Sequence, residues 1–150
     1  MPLQSPPRDE VGEVVPHDHP GIGDCDGVIR RISEQQIVVD RSTGRRRISS
    51  MAFKPSSRGN RGMSVDLEQL IIEAGQDARN YVTTPRWTGS VKFDAGALRK
   101  LKLQVGFDPL PQNPCHGEVW GLGKEHPRSL LTIAAWFVEI PGVALTDGKT

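Results

Sequence analysis

The chain has 150 residues, 36% of them hydrophobic and 25% charged, with a formal net charge of +1. That length suits one domain with a proper core, and the composition is that of an ordinary, slightly polar globular protein. No apolar run approaches the ~18 residues that cross a bilayer. The opening "MPLQSPPRDEVGEVVP" lacks the basic start and apolar stretch of a signal peptide. Two cysteines, Cys25 and Cys115, do not make a disulfide framework. The expectation is a cytoplasmic protein with no membrane span.

Residues 1–26 contain five prolines, six acids (Asp9, Glu10, Glu13, Asp18, Asp24, Asp26) and few bulky apolar groups. Such a stretch buries too little surface to offset its ordering entropy, so it reads as a flexible, Pro- and acid-rich arm. Residues 27–150 then read as a single α+β domain. Val28, Ile29 and Ile32 in "GVIRRI" suit a first strand, and Ile37–Val39 a second. Asp40, Ser42, Thr43 and Gly44 supply turn chemistry for a hairpin into Arg46–Ser50, and "KPSSRGNRG" is a loop.

In "SVDLEQLIIEAG", Ser64 suits a helix N-cap. Leu67, Leu70, Ile71 and Ala74 follow at helical spacing, and Gly75 can close the helix. "YVTTPRWTGSVKF" reads as extended segments broken at Pro85 and Gly89. Asp94 suits the cap of a short helix through "AGALRKL". "QVGFDPLPQNP" is an extended segment entering a proline-rich loop, and "HGEVWGLG" a further strand. Pro127 suits the first turn of a last helix through "RSLLTIAAWF", with Leu130, Leu131, Ala134 and Phe137 inward. "VEIPGV" finishes extended. This order predicts a mostly antiparallel sheet with about three helices packed on one face.

Several side-chain groups could carry chemistry. His17, His19 and Cys25 form one cluster in sequence and Cys115, His116 and His126 another; together they could supply a zinc ion with four ligands. Neither has the paired Cys-x-x-Cys spacing of zinc ribbons, so the default is a chain without a cofactor, with buried cysteine and solvated loop histidine. Residues 41–61 carry seven bases and no acid. Arg45, Arg46, Arg47, Arg58 and Arg61, with nearby serines and glycines, could cradle a phosphate. The alternative is a solvated hairpin edge guarded by arginines. Binding of nucleic acid through this segment is a further reading, although no aromatic series accompanies it. Trp87, flanked by Pro85 and Arg86, could anchor a partner protein or simply cover a sheet edge. His116 beside Glu118 could act as a general base.

Arg30 or Arg31 on the first strand, Ser49 or Ser50 later, and Glu118 near a late strand give an Arg…Ser…Glu order. It resembles the skeleton of ADP-ribosyltransferases. The resemblance implies an arginine that holds the phosphates of NAD, a serine that supports the strand and a glutamate that orients the ribose. It rests on isolated residues without a flanking motif.

The run from Asp40 to Phe53 also reads D-x-x-T-G-x-x-R-x-S-S-x-x-F, and Asn113, Pro114 and His116 form an N-P-x-H segment. Together they resemble a family of small uncharacterised bacterial single-domain proteins, a resemblance that implies no activity. If the two pieces meet in space, the neighbourhood of Arg47, Ser50 and His116, with Glu118, is the candidate catalytic site.

The leading expectation is a small bacterial interaction module, an accessory subunit or adaptor bound to a larger protein, as in defence or conflict systems. The alternative is an enzyme or nucleotide-binding domain of ADP-ribosyltransferase-like kind. A concave pocket containing Arg47 and His116 would favour the enzyme, and a flat apolar patch around Trp87 the module.

Overall fold

The β-branched run expected to open the domain forms β1, Gly27–Ile32, and lies inside a six-stranded sheet. The structure is a computed structural model that describes residues 3–56 and 62–146. The other strands of this sheet are β4 (Met63–Leu67), β5 (Gly89–Asp94), β6 (Gln104–Phe107), β7 (His116–Trp120) and β8 (Ala135–Val138). Their order is β6-β7-β4-β1-β5-β8, with every neighbouring pair antiparallel. A second sheet holds the hairpin of β2 (Ile37–Val39) and β3 (Arg46–Ile48), with β9 (Val143–Ala144) parallel to β3. The fold is α+β, as composition and pattern predict. No helix of the described residues is long and apolar enough to cross a membrane.

Two segments depart from the expected elements. "MSVDL" is a strand, and the helix α1 starts only at Glu68 and runs to Glu73. Met63, Val65 and Leu67 alternate with Ser64 and Asp66, which is strand spacing, and β1 and β7 flank the segment on both sides. Ser64 therefore sits in a ladder and caps nothing. Similarly, α4 (His126–Ile133) ends before "AWFV", whose aromatic and β-branched residues pair with β5 as β8. The structure also adds a short helix, α2 (Ala78–Tyr81), ahead of the expected α3 (Ala95–Lys100).

The sheet buries both faces unequally. One packs Val28, Ile32, Val65, Leu67, Val91, Phe93, Val105 and Val119 with Phe53, Leu98 of α3 and Leu130 of α4. The other packs Ile29 with Ile71 of α1, Ala78 of α2, Val82, Cys115 and Phe137. Helices thus lie on both faces, where the sequence suggested one, and α1 and α2 cover only part of the second.

The acidic N-terminal segment has no helix or strand among its described residues, yet it lies against the domain. Val14 and Ile22 are buried, and Arg99 of α3 bonds Asp18 and Asp24 at 3.0 and 2.7 Å. The carbonyls of Asp24 and Asp26 accept the first amides of α3, from Gly96 and Ala95. These contacts offset the ordering entropy that made the composition look like that of a flexible arm.

Candidate active site

The pairing of β1 with β4 stops at Val28↔Leu67 and Ile29↔Asp66. Beyond it the guanidinium of Arg30 bridges the diverging chains: Nε donates to the Ala52 carbonyl at 3.0 Å and Nη1 to the Ser64 carbonyl at 2.8 Å. The opening becomes a cleft of about 470 Å³, bounded by Arg30 and Arg31 of β1, Ser64 and Asp66 of β4, and His116 of β7, with the rings of Tyr81 and Trp87 in its wall. Burial lowers the Arg30 side chain to about 10, partly opposed by the charges of Glu118 and Asp66, so it stays a cation at neutral pH.

A polar network stiffens one side. Arg31 grips Asp66 with two hydrogen bonds of 2.8 and 3.0 Å, the fork geometry that carboxylates favour. Asn113 Nδ2 donates to the same carboxylate at 2.8 Å, while Asn113 Oδ1 accepts from the Tyr81 hydroxyl and the Cys115 amide. Burial pushes the Tyr81 hydroxyl up to about 12, so it donates throughout the physiological range.

On β7, residues i and i+2 share a face, which puts His116 and Glu118 side by side. His116 Nδ1 donates to the Asp108 carbonyl at 2.8 Å and lies 3.3 Å from its carboxylate; Nε2 lies 4.0 Å from Glu118 Oε1. Burial opposes a charge on His116, but the Asp108 carboxylate and carbonyl outweigh it, with Glu118 adding, so the imidazole is raised above its ordinary value. Glu118 faces Ser64 in the register and is buried beside the cleft, with Oε2 lacking a hydrogen-bond partner. Burial pushes its carboxyl up to about 7; Asp108 adds to the rise, while His116 and Arg30 oppose it. Its carboxylate passes over Gly62, where a Cβ would collide with Oε2.

The expected site residues separate into those brought together and those kept apart. Arg30, Arg31, His116 and Glu118 converge. Arg47 does not join them: it lies in the smaller sheet with Nε on Asp40 at 3.1 Å. Ser49 caps a 3-10 turn by accepting from the Met51 amide, and Ser50 opens that turn. The piece from Asp40 to Phe53 reaches the cleft only through Ala52, whose carbonyl holds Arg30. The serine that does line it is Ser64, hidden from the sequence reading by its assignment to a helix start. Asp66 and Asp108 were missed for a related reason, since only the strand pairing brings them to His116, and Tyr81 enters from α2 through its hydrogen bond to Asn113.

Of the proposed anion cradle, Arg45 is exposed and Arg46 pairs with Glu34 at 2.6 Å, while Arg58 and Arg61 lie outside the described residues. Arg86 stacks over Trp87 at 5.1 Å, and Trp87 is half-buried in the cleft wall instead of heading a flat apolar patch. The residues considered for zinc do not assemble. Both ring nitrogens of His17 and of His19 are engaged by the main chain, Cys25 is exposed and Cys115 is buried under α1 and α2. Among the described residues, the group whose donors come within 4.8 Å of one another is Asp108, His116 and Glu118. Two carboxylates and an imidazole suit a divalent cation by donor type, and equally suit a shared proton.

Comparison of the chain with protein-family models, with curated proteins and with solved structures returned no match.

Proposed function

We propose that the protein is a cytoplasmic enzyme of ADP-ribosyltransferase-like chemistry that takes NAD in this cleft. The observation that carries the reading is that Arg30, Arg31 and Ser64 line the cleft while Glu118, paired with Ser64 in the register, is buried beside it, all four from the three adjacent strands β1, β4 and β7. The Arg…Ser…Glu order then has a spatial counterpart, with Ser64 in place of Ser49 or Ser50. The two arginines supply the donors and charge that a pyrophosphate needs. Tyr81 and Trp87 offer aromatic faces to a base or nicotinamide ring. A volume of about 470 Å³ lies within the range of small-molecule sites.

In the proposed reaction the bond between the ribose carbon and the nicotinamide nitrogen breaks, and nicotinamide leaves as the neutral amide. A new bond forms from that carbon to an acceptor oxygen or nitrogen, and one proton is released. Glu118, ionised, accepts a ribose hydroxyl hydrogen bond and stabilises the positive charge that develops on the sugar. His116, its Nδ1–H held by Asp108, presents Nε2 to take the acceptor's proton. A carboxyl near 7 suits a group that exchanges protons at neutral pH.

The interaction-module reading has less support, because Trp87 faces a concave, charged cleft. The basic hairpin offers less for nucleic acid, because no aromatic series accompanies its arginines for bases to stack on. The test is release of nicotinamide from NAD, followed by chromatography with water or cell extract as acceptor. The wild type releases it, and Glu118→Gln slows release by about 100-fold or more. Equal rates in both proteins would rule out the assigned role of Glu118.

A further inference from the structure

Residues 17–19 run beside β6, the end strand of the large sheet, and satisfy its outward groups one after another. The Val105 amide donates to Asp18 Oδ1 at 2.9 Å, and the Phe107 amide donates to His17 Nε2 at 3.1 Å. The Val105 carbonyl accepts from the His19 amide at 2.9 Å. Two side chains and one amide thus stand in for a neighbouring strand and close an otherwise open edge.

His17 is fixed from several sides. An amide N–H can only donate, so Nε2 is the acceptor and Nδ1 carries the hydrogen, which goes to the Val15 carbonyl at 2.8 Å. The ring packs on Trp120 at 5.1 Å, above Gly106, where a Cβ would strike both rings. His19 is locked likewise: Nδ1 accepts from the Gly21 amide at 2.9 Å and Nε2 donates to the Gln4 carbonyl at 2.9 Å. The charged groups facing this strap are Arg99 of α3 and the two acids it binds, Asp18 and Asp24.

Directly after Phe107 comes Asp108, the partner of His116. Outward and inward groups alternate along a strand, so the Phe107 amide faces the strap while Asp108 faces β7. There the Asp108 amide donates to the His116 carbonyl at 3.1 Å, and its own carbonyl takes His116 Nδ1.

We infer that His17 is a positioning residue for the cleft: by accepting the Phe107 amide it fixes where β6 ends, and so holds Asp108 against His116. Its catalytic consequence rests on the reading of the cleft as an active site; the coupling between His17 and His116 does not.

The experiment is nitrogen-15 NMR of the full chain. In the wild type a scalar coupling across the hydrogen bond between Phe107 N and His17 Nε2 is expected, and its absence overturns the inference. His17→Phe keeps a ring on Trp120 but removes the acceptor; His17→Gln keeps an acceptor oxygen. In His17→Phe the His116 Nδ1–H signal is lost to exchange and the His116 titration midpoint falls, whereas His17→Gln retains both. A His116 unchanged in His17→Phe, or changed equally in the two variants, overturns the proposal. Should His17→Phe not fold, hydrogen exchange in the wild type decides: a common opening free energy for the Phe107 amide and His116 Nδ1–H supports coupling, and unrelated values overturn it. NAD binding by the wild type is measured alongside. Its failure removes the reading of the cleft and leaves the coupling result standing.

Discussion

Burial, reinforced by Asp108, brings the Glu118 carboxyl to about 7 against an ordinary 4.5, although His116 and Arg30 pull the other way. The folded protein holds this proton more tightly than the unfolded chain, so the stabilisation from Glu118 is complete below pH 4.5 and lost as pH rises through about 7. Glu118→Gln removes the titration. Its unfolding free energy, measured by urea at several pH values, should gain on the wild type between pH 5 and 8, by on the order of 1–3 kcal/mol. A gap independent of pH would mean that Glu118 is not held in this way. Gly62 offers a test that leaves the carboxyl in place. In Gly62→Ala the new Cβ collides with Glu118 Oε2 and the Trp120 indole nitrogen, so the carboxylate must shift. NAD cleavage should fall by about tenfold or more while NAD binding changes little, because misplacement by an ångström costs rate first.

At the scale of elements, the cleft exists because β1 and β4 part after Ile29↔Asp66 and Arg30 fills the gap. Asp66 is the pin on the other side, bonded by Arg31 and Asn113 and nearly fully buried. Removing one partner of such a pair leaves the other charge poorly solvated, so Asp66→Ala should cost about 3 kcal/mol in denaturant unfolding. A loss under about 0.5 kcal/mol, the size of a surface change, would contradict the pinning. The elements also mark how far local pattern reaches. β1, β2, β3, β5, β6, β7 and α3 lie where alternation, turn residues and caps suggest, and Gly75 and Gly44 take the positive φ their turns require. The repeat around "SVDLEQLII" carries two periods at once. Its helical spacing begins at Leu67, and its strand spacing ends there. Only the flanking strands β1 and β7 favour the strand, and they are distant in sequence. The module from Asp40 to Phe53 is likewise explained by the hairpin it builds. Asp40 accepts from Ser42 and Thr43 and pairs with Arg47, and the Ser42 hydroxyl leads in holding its carboxyl well below the usual range.

Across the whole molecule, the residues that meet in the cleft come from positions 30 to 118, and no short-range pattern links them. Arg30, Arg31, His116 and Glu118 are legible as chemistry, but Ser64, Asp66 and Asp108 become site residues only through the order β6-β7-β4-β1-β5-β8, and Tyr81 only through the packing of α2 on it. Long-range complementarity also explains the N-terminal segment. Its composition matches that of a flexible arm, yet Asp18 and Asp24 find Arg99, and Val14 and Ile22 find cover on the domain. The most direct measurement of the central claim is an NMR titration of the isotope-labelled chain with NAD. Saturable binding is predicted, with shifts gathered at Arg30, Ser64, Tyr81, Trp87, Asn113 and His116, and with affinity weakened about tenfold or more in Arg30→Ala through loss of charged hydrogen bonds. No saturable binding at millimolar NAD, or shifts confined to the basic hairpin around Arg45 and Arg46, would contradict it.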